Sequence, residues 1–344
     1  MSEIETTFVK AVRDTLARAM RADERVIVLG EDVAEGGPYL LTEGLAEEFG
    51  RERVRNTPIS EAAVCGVAVG AAQRGLRPVV EIMFIDFITL ALDQLVNQAA
   101  KAHFMSGGQL CVPLVLRTQG GCGQRSGAQH SQSLEAWLTH VPGLKVVMPS
   151  SAADAAGLLA SAIADPGPVV VVENKALYYR RETTAAEPEP IPLGRAHTLR
   201  RGEDVTIVAT SRLVGDALEA AERLAGEGID AEVIDPRTLV PLDVETIAAS
   251  VQRTGRAVVA HEAVTVGGFG AEITAQLQNA AFDFLEAPIQ RVGAPFMPVP
   301  VSPPAEDAYR PGADEVCTAA RFVIEWDQPE PAAAGPAAAQ AGTG

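Results

Sequence analysis

The chain has 344 residues, a length that predicts about two domains. Hydrophobic residues make up 47% of it, enough to bury globular cores, so disorder over most of the length is excluded. With 45 acidic and 28 basic side chains, the net charge is −17 with histidine neutral. Nucleic-acid binding needs clustered Lys and Arg, and the sequence has no basic stripe. The charge therefore argues against nucleic acid as the main partner.

Membrane and secretory signals are absent from the sequence. Its apolar stretches are interrupted by Gly, Pro or Asp well before the ~18 residues that a membrane span requires. The N-terminal residues MSEIETTF lack the basic start and apolar core of a signal peptide. The cysteines at 65, 111, 122 and 317 form no CxxC pair and no metal knuckle. We therefore expect a cytoplasmic protein with reduced thiols and no membrane partner.

Helical and strand patterns alternate along the first half of the chain. Residues 6–20 repeat apolar positions at helical spacing, whereas 26–30 (VIVLG) and 54–57 (VRNT) are typical of short strands. Residues 60–74 predict a helix of small residues with Ser60 as its N-cap. Later apolar runs predict buried parallel strands with helices between them: strands at 78–84, 113–118, 145–148 and 168–173, and helices at 85–103 and 151–164.

The alternation of strand and helix patterns stops at a proline-rich stretch and then resumes. Strand patterns return at DVTIVAT, DAEVIDP, RAVVAHE and PIQRVG, with helical stretches after Arg212, Asp243 and Gly270. The sequence therefore predicts an α/β protein of two doubly wound domains with mainly parallel sheets. The predicted boundaries are a first domain at 1–182, a linker at 183–199, a second domain at 200–327 and a disordered Pro/Ala-rich tail at 328–344.

Three side chains after predicted strands are candidates for chemistry, because parallel sheets bind ligands at the carboxyl ends of their strands. Glu61 opens an otherwise apolar helix, either as an acid that stabilises the helix N-terminus or as a carboxylate that shares a proton with a ligand nitrogen. Phe87 is either a core aromatic or a ring that packs on a ligand. His130 lies in a polar loop and could act as an acid or base.

Other motifs do not support a site. The glycine-rich segments GGFGAEI at 267–273 and GGCGQRSG at 120–127 lack the spacing of a dinucleotide loop and the lysine of a P-loop. We interpret both as tight turns. Neither Ser126 nor Ser131 lies in a GxSxG elbow, and the five histidines form no HExxH motif.

Several ordered blocks of the sequence carry a resemblance to a known family. They include TPISEAAVCGVAVGAAQRGLRPVVEIMF, MSGGQ and AQHSQSLEAWLTHVPGLKVVMPSS. The sequence resembles the beta subunits of thiamine-diphosphate-dependent 2-oxo acid dehydrogenases, which act on pyruvate, branched-chain 2-oxo acids or acetoin. The resemblance runs from about residue 6 to residue 326. It implies a transketolase-type pyrimidine-binding domain followed by a transketolase C-terminal domain.

The resemblance also implies roles for the three candidate residues. Glu61 matches the glutamate that hydrogen-bonds N1′ of the aminopyrimidine and favours the imino tautomer that removes the thiazolium proton. Phe87 matches the aromatic ring on which the pyrimidine stacks. His130 matches a histidine at the substrate end of the cofactor, where it would bond the 2-oxo acid or donate a proton during transfer to lipoamide.

A structural potassium ion is a further implication of the resemblance. The positions that match its ligands are Leu114, Ala162, Ile163, Asp165 and Gly167. Most of these residues would act through main-chain carbonyl groups, so their side chains carry little information.

The GDG motif of thiamine enzymes, which begins the site for Mg²⁺ and the diphosphate, does not occur in the sequence. An alpha subunit is therefore expected to hold Mg²⁺ and share the cofactor, in an α2β2 heterotetramer that delivers acyl groups to a lipoyl-bearing acyltransferase core. The main prediction is a pyruvate dehydrogenase beta subunit. Branched-chain 2-oxo acid and acetoin dehydrogenase subunits remain alternatives, as does a non-catalytic scaffold, against which the presence of Glu61, Phe87 and His130 weighs.

Overall fold

The computed structural model describes residues 3–326, so the predicted disordered tail at 328–344 lies outside the described residues. The first part of the chain forms, in order, β1 (Glu3–Thr7), α1 (Phe8–Ala22), β2 (Val26–Gly30), α2 (Leu45–Phe49), β3 (Val54–Asn56), α3 (Glu61–Gln73), β4 (Arg77–Ile82), α4 (Ala100–Met105), β5 (Val115–Gly120), α5 (Glu135–Thr139), β6 (Lys145–Val147), α6 (Ala152–Ala164), β7 (Val169–Asn174) and β8 (Arg181–Ala185). Between them are 3-10 turns at Val33–Glu35, Ile85–Leu90 and Lys175–Leu177, and a π-helical segment at Gln94–Ala99.

The second part of the chain repeats the alternation with fewer strands. Its elements are β9 (His197–Arg200), β10 (Val205–Ala209), α7 (Leu213–Ala225), β11 (Ala231–Asp235), β12 (Thr238–Val240), α8 (Val244–Thr254), β13 (Ala257–Val264), α9 (Gly270–Ala281), β14 (Gln290–Ala294), α10 (Pro303–Tyr309) and α11 (Ala313–Ile324). A 3-10 turn at Phe282–Phe284 follows α9.

The larger sheet has seven strands in the order β12-β6-β7-β5-β4-β2-β3, and every pair except β12 with β6 is parallel. Its central strands are buried along their whole length, as the run VVVVEN of β7 illustrates. Helices α1 and α6 cover one face and α3 the other, each contributing apolar side chains to a separate buried cluster. This is the predicted doubly wound arrangement.

The smaller sheet has five strands in the order β14-β13-β10-β11-β9, of which only β9 is antiparallel to its neighbour. Helices α7 and α11 pack on one face, and α8 and α9 on the other. Buried residues of both sheets, such as Leu116 and Val259, belong to one continuous cluster. The two domains therefore share part of their apolar core.

Long-range pairing changes several elements relative to the sequence prediction. The first helix begins at Phe8 because residues Glu3–Thr7 form β1, which pairs antiparallel with β8. Residues 238–240 form β12 at the edge of the larger sheet, although they follow β11 of the smaller one. Residues 183–185 and 197–199, inside the predicted linker, belong to β8 and β9. Local patterns carry no information about such distant partners.

The segment at 85–103 is less regular than the single helix predicted there. It contains the 3-10 turn Ile85–Leu90, the π-helical segment Gln94–Ala99 and the start of α4. Ile85 and Ile88 are both buried, and the 3-10 turn places residues three apart on the same side. Among the described residues, no helix combines the length and apolar character needed to cross a bilayer.

Candidate functional site

The loops that carry the predicted site residues leave the same edge of the larger sheet. Glu61 follows β3, Phe87 follows β4, and His130 lies in the loop after β5. These strands are parallel to one another through β2, so their carboxyl ends meet at one edge. Open parallel sheets bind ligands at this edge.

Glu61 is the first residue of α3 and is buried, with 8% of its surface exposed. Ser60 occupies the predicted N-cap position, although its side chain makes no capping hydrogen bond. Within residues 3–326, no donor bonds to the Glu61 carboxylate and no cation pairs with it. A buried carboxylate without a protein donor is available to a donor on a ligand.

The pKa values of two neighbouring groups, Glu31 and Cys65, indicate the electrostatic surroundings of Glu61. Burial raises the pKa of the Glu31 carboxyl, and the charges of Glu61 and Asp32 raise it further. Burial likewise raises the pKa of the Cys65 thiol to about 12, with a second contribution from Glu61. The surroundings of Glu61 therefore disfavour additional negative charge.

Phe84, Phe87 and His130 form a three-ring cluster at the same edge. The ring centroids of Phe87 and His130 are 5.3 Å apart with the ring planes at 90°. Phe84 lies 6.0 Å from Phe87 and 4.8 Å from His130, again in edge-to-face arrangements. Edge-to-face packing fixes the relative orientation of aromatic rings. The fold thus brings together two predicted site residues that are far apart in the sequence.

The loop that carries His130, residues 121–134, is tied to the turn that carries Phe87. Oδ1 of Asp86 accepts hydrogen bonds from Nε2 of Gln132 at 2.8 Å and from the Gln132 main-chain N–H at 3.4 Å. Asp86 is buried and Gln132 is partly buried, so these bonds are partly shielded from water. They hold the His130 loop against the Phe87 turn.

Lys175 is a member of the site that the sequence analysis did not identify. It follows β7, is 1% exposed, and donates from Nζ to the main-chain carbonyl of His130. Its Nζ lies 5.0 Å from the centroid of the Phe84 ring, a cation–π contact. Burial lowers the pKa of Lys175, whereas Asp86 acts in the opposite direction. The available signal was a lysine directly after a strand that begins with the apolar run VVVV, at the ligand-binding edge.

A second set of buried charges lies within the sheet and is fully paired. Arg117 on β5 donates to both carboxylate oxygens of Glu173 at 2.7 and 2.9 Å, and to Glu81 at 2.8 Å. The Tyr178 hydroxyl donates to Glu173 at 2.7 Å. We refer to Glu81, Arg117 and Glu173 as the paired cluster. Its groups are satisfied by one another, which is typical of a structural role.

A cavity of about 350 Å³ lies between part of the His130 loop and the second domain. The loop contributes Ser131 and Gln132 to its wall, and the second domain contributes Glu262, Phe296 and Tyr309. The wall is mainly apolar with a few polar groups, as is usual for small-molecule pockets. The second domain therefore forms part of the surroundings of the His130 loop.

The five positions that match a potassium site lie at the opposite edge of the sheet, before β5 and β7. The carbonyl of Leu114 accepts from Val169 N–H at 2.9 Å, and that of Ala162 accepts from Asp165 N–H at 3.3 Å. The Asp165 carboxylate also accepts from Gly167 N–H at 2.8 Å. Carbonyl and carboxylate oxygens are the ligand atoms that a potassium ion prefers. These residues therefore offer the right kind of ligand atom.

Two protein cations already contact these oxygens. The Arg77 guanidinium donates to the carbonyls of Ile163 at 2.6 Å and Asp165 at 3.3 Å. Nζ of Lys145 lies 2.7 Å from both carboxylate oxygens of Asp165. A potassium ion would therefore share its ligands with Arg77 and Lys145. Within residues 3–326, no group of three or more His, Cys, Asp or Glu side chains could hold a metal ion.

Two family descriptions match nearly all of this architecture. Residues 5–181 match the transketolase pyrimidine-binding domain, and residues 194–316 match the transketolase C-terminal domain. The chain belongs to the transketolase-like family. The predicted fold class and family resemblance are therefore confirmed.

Characterised relatives cover most of the chain. The beta subunit of the pyruvate dehydrogenase E1 component of Rickettsia conorii is 46% identical over 321 residues, which are 93% of this chain and 98% of the relative. The Bacillus subtilis acetoin:2,6-dichlorophenolindophenol oxidoreductase subunit beta is 45% identical over 319 residues, 89% and 93% of the two chains. The mitochondrial rice E1 subunit beta-2 is 45% identical over 322 residues, 92% and 86% of the two chains.

A solved structure supports the fold independently. The split gene transketolase described as an inactive beta4 tetramer superposes with a TM-score of 0.74 at 24% identity, covering 92% of this chain and 97% of the other. At that identity the likeness concerns the fold alone. The roles of Glu61, Phe87, His130 and the potassium positions stay predictions, as do the α2β2 stoichiometry and the cytoplasmic location.

Proposed function

We propose that this chain is the beta subunit of a thiamine-diphosphate-dependent 2-oxo acid dehydrogenase of the pyruvate dehydrogenase type. With an alpha subunit it decarboxylates a 2-oxo acid and passes the acyl group to a lipoyl group of an acyltransferase core. The observation that carries the proposal is the buried Glu61 carboxylate, which has no donor within the described residues and lies at the same sheet edge as Phe87 and His130. The names of the Rickettsia and rice relatives agree with it.

Glu61 is the proton-sharing group of the proposed site. When bound, thiamine diphosphate would supply a nucleophilic thiazolium carbon and a cationic ring that serves as the electron sink for decarboxylation. The Glu61 carboxylate holds the proton at N1′ of the aminopyrimidine. This role suits a carboxylate that is buried and lacks a protein partner, because the ligand then supplies its only strong hydrogen bond.

Phe87 and His130 act on different parts of the same ligand. Phe87 is half-buried and presents an apolar ring on which the aminopyrimidine packs. His130, perpendicular to that ring, is the group we assign to the substrate end, where it bonds the 2-oxo acid or supplies a proton as the acyl group leaves. The contact between the two rings fixes the position of His130 relative to Phe87. Pyrimidine binding and substrate binding therefore share one rigid surface.

The diphosphate half of the site belongs to the alpha subunit in this proposal. The chain has no GDG motif, its net charge is −17, and two phosphates need a divalent cation or several donors. Mg²⁺ and the diphosphate are therefore held by the partner. The isolated chain should bind thiamine diphosphate no better than about millimolar, as expected for one hydrogen bond and one ring contact.

Co-expression with an alpha subunit that contains the GDG motif tests the proposal. We expect lipoamide-dependent turnover that requires both subunits, thiamine diphosphate and Mg²⁺, with pyruvate preferred over 3-methyl-2-oxobutanoate and acetoin. Titration calorimetry of the isolated chain supplies the control. Micromolar binding without the partner would contradict the divided site, and no turnover with any substrate in a cofactor-loaded complex would favour a scaffold.

Acetoin cleavage is the second candidate function, because the Bacillus subtilis relative is as similar to this chain as the rice subunit is. It uses the same cofactor but breaks a different carbon–carbon bond. Acetoin-dependent reduction of dichlorophenolindophenol that exceeds pyruvate-dependent turnover would select it. A preference for 3-methyl-2-oxobutanoate would select the branched-chain alternative instead.

A structural potassium ion at Leu114, Ala162, Ile163, Asp165 and Gly167 is also part of the proposal. Because Arg77 and Lys145 already contact these oxygens, the ion should add a modest stabilisation that depends on its identity. The measurement is the thermal midpoint of the chain in KCl and in NaCl at equal ionic strength. Equal midpoints in the two salts would contradict a potassium-specific site.

A further inference from the structure

The second domain bonds to the backbone of the His130 loop through a completely buried carboxylate. Glu306 lies on α10, is 0% exposed, and accepts a hydrogen bond from Gly123 N–H at 3.0 Å. Its other carboxylate oxygen accepts from the Arg125 N–H at 3.3 Å and from the Arg125 guanidinium at 2.6 Å. A single side chain of the second domain therefore satisfies two main-chain donors of a loop that belongs to the first.

A second carboxylate supports the same stretch. Glu262 on β13 accepts from the Cys122 N–H at 2.5 Å, while Asn174 and Arg212 donate to its other oxygen at 3.0 and 2.7 Å. Burial acts to raise the pKa of Glu262, but Arg212 and the other donors outweigh burial and lower it. The carboxylate is thus charged and held on both sides. Three donors of the loop, at positions 122, 123 and 125, are bonded from the second domain.

The backbone of the His130 loop needs such external support. Gly121, Gly123 and Gly127 have φ angles of 85°, 108° and 73°, and Arg125 has a φ of 57°. The left-handed region is unfavourable for a non-glycine residue, and it persists where surrounding contacts determine the conformation. In this loop the strained residue is the one whose N–H and guanidinium both bond to Glu306.

We propose that Glu306 is a positioning residue that sets the conformation of the His130 loop from the second domain, and thereby the placement of His130. The first domain holds the other end of the loop through Asp86 and Lys175. The second domain contributes to the reaction in this way, through the conformation of the loop. The kinetic part of the inference rests on the proposed function, whereas the structural part does not.

Amide hydrogen exchange on the purified chain tests the structural part. In Glu306→Ala, the amides of Gly123 and Arg125 lose their acceptor and should exchange at least about tenfold faster than in the unchanged protein. Glu306→Gln keeps one acceptor oxygen, so at least one of the two amides should exchange faster even if the alanine variant does not fold. Unchanged exchange of both amides in the folded glutamine variant would overturn the proposal.

Asp307→Asn is the matched control. Asp307 neighbours Glu306 and pairs with the same Arg125 guanidinium at 2.7 Å, but it is exposed and bonds to no amide of the loop. The Asp307→Asn substitution removes one negative charge beside Arg125 and leaves the amides of Gly123 and Arg125 bonded to Glu306. We expect exchange at Gly123 and Arg125 to be unchanged in this variant. Faster exchange there would show that the charge on Arg125, and not the carboxylate at 306, orders the loop.

Kinetics of the complex with the alpha subunit test the link to His130. We expect Glu306→Gln to lower kcat for lipoamide-dependent turnover by about tenfold, with the thiamine diphosphate concentration for half-maximal activity unchanged. Asp307→Asn should match the unchanged protein in both quantities. Full turnover despite faster exchange, or an equal loss of cofactor affinity, would overturn the positioning role. No turnover in the unchanged complex would refute the proposed function and leave the exchange result intact.

Discussion

Glu61, at the start of α3, and the paired cluster, inside the larger sheet, provide buried carboxylates with opposite surroundings. Glu173 and Glu81 share the guanidinium of Arg117 through bonds of 2.7 to 2.9 Å. Glu61 is buried as well, yet no donor within residues 3–326 reaches its carboxylate. The paired cluster satisfies its charges internally, whereas the described residues leave the Glu61 carboxylate without a hydrogen-bond donor.

The difference teaches where a buried charge serves the fold and where it serves a ligand. Removing one partner from a paired set leaves an uncompensated charge inside the protein, so the cost appears in stability. Removing a charge that no protein group pairs with breaks no bond inside the protein, so the cost appears in function. The following substitutions separate these two outcomes.

The largest expected effect is on the paired cluster. Arg117→Met leaves Glu81 and Glu173 facing each other without a cation, and we expect the free energy of unfolding to fall by about 3–5 kcal/mol. Urea unfolding of the purified chain measures the change. The control is Arg21→Met, which removes an exposed pair with Glu48 and should leave the unfolding midpoint unchanged. If the two variants unfold alike, the paired cluster is not a structural element.

Glu61→Gln should show the opposite pattern. The glutamine keeps the size of the side chain but cannot share a proton with N1′, so turnover of the complex should fall about a hundredfold. The free energy of unfolding should change by less than about 1 kcal/mol, because no described residue pairs with the Glu61 carboxylate and only its interaction with the helix N-terminus is lost. Coupled lipoamide assays and urea unfolding measure the two quantities. Normal turnover would show that Glu61 only stabilises the N-terminus of α3 and takes no part in the reaction.

His261 offers a comparison with a buried base. It is 2% exposed, both ring nitrogens lack a partner among the described residues, and burial, followed by the charge of Arg291, lowers its pKa to about 4. As the pH falls, His261 is protonated in the unfolded chain at a higher pH than in the folded protein. The contribution of His261 to the free energy of unfolding is therefore complete above about pH 6.5 and decreases as the pH falls toward about 4. By pH 5 the loss should be about 2 kcal/mol.

The measurement for His261 is the difference in unfolding free energy between the unchanged protein and His261→Asn, at pH 7 and at pH 5. A difference is needed because Glu135 and Asp235, whose pKa values burial raises to about 7, titrate in the opposite sense. The destabilisation caused by the asparagine should be smaller at pH 5. A difference that does not change with pH would contradict the lowered pKa of His261.

The smallest expected effects divide the three-ring cluster by function. Phe87→Ala should raise the thiamine diphosphate concentration for half-maximal activity by about tenfold, through lost ring contact and packing. His130→Ala should instead lower the rate of decarboxylation or of lipoyl acylation, with that concentration unchanged. Separate assays of the two half-reactions locate the loss. Equal effects of both substitutions on cofactor binding would assign His130 a structural role.

The sequence by itself determined the alternation of strands and helices and the positions of Glu61, Phe87 and His130 after strands. The buried run of β7 and the small-residue helix α3 follow directly from local composition, because the hydrophobic period of a segment reports which of its faces is buried. Family resemblance added roles to those residues. It did not identify Lys175, since one lysine after a strand resembles any other solvated charge.

Only the tertiary structure decided which of these residues meet. The pairing of β1 with β8, the placement of β12 in the larger sheet and the bonds from Glu306 to the His130 loop join residues more than ninety positions apart. Local patterns contain no such information, because each contact depends on the burial of a partner elsewhere in the chain. The absence of a donor for Glu61 is likewise a tertiary property. A carboxylate is known to be unpaired only when every neighbouring element is in place.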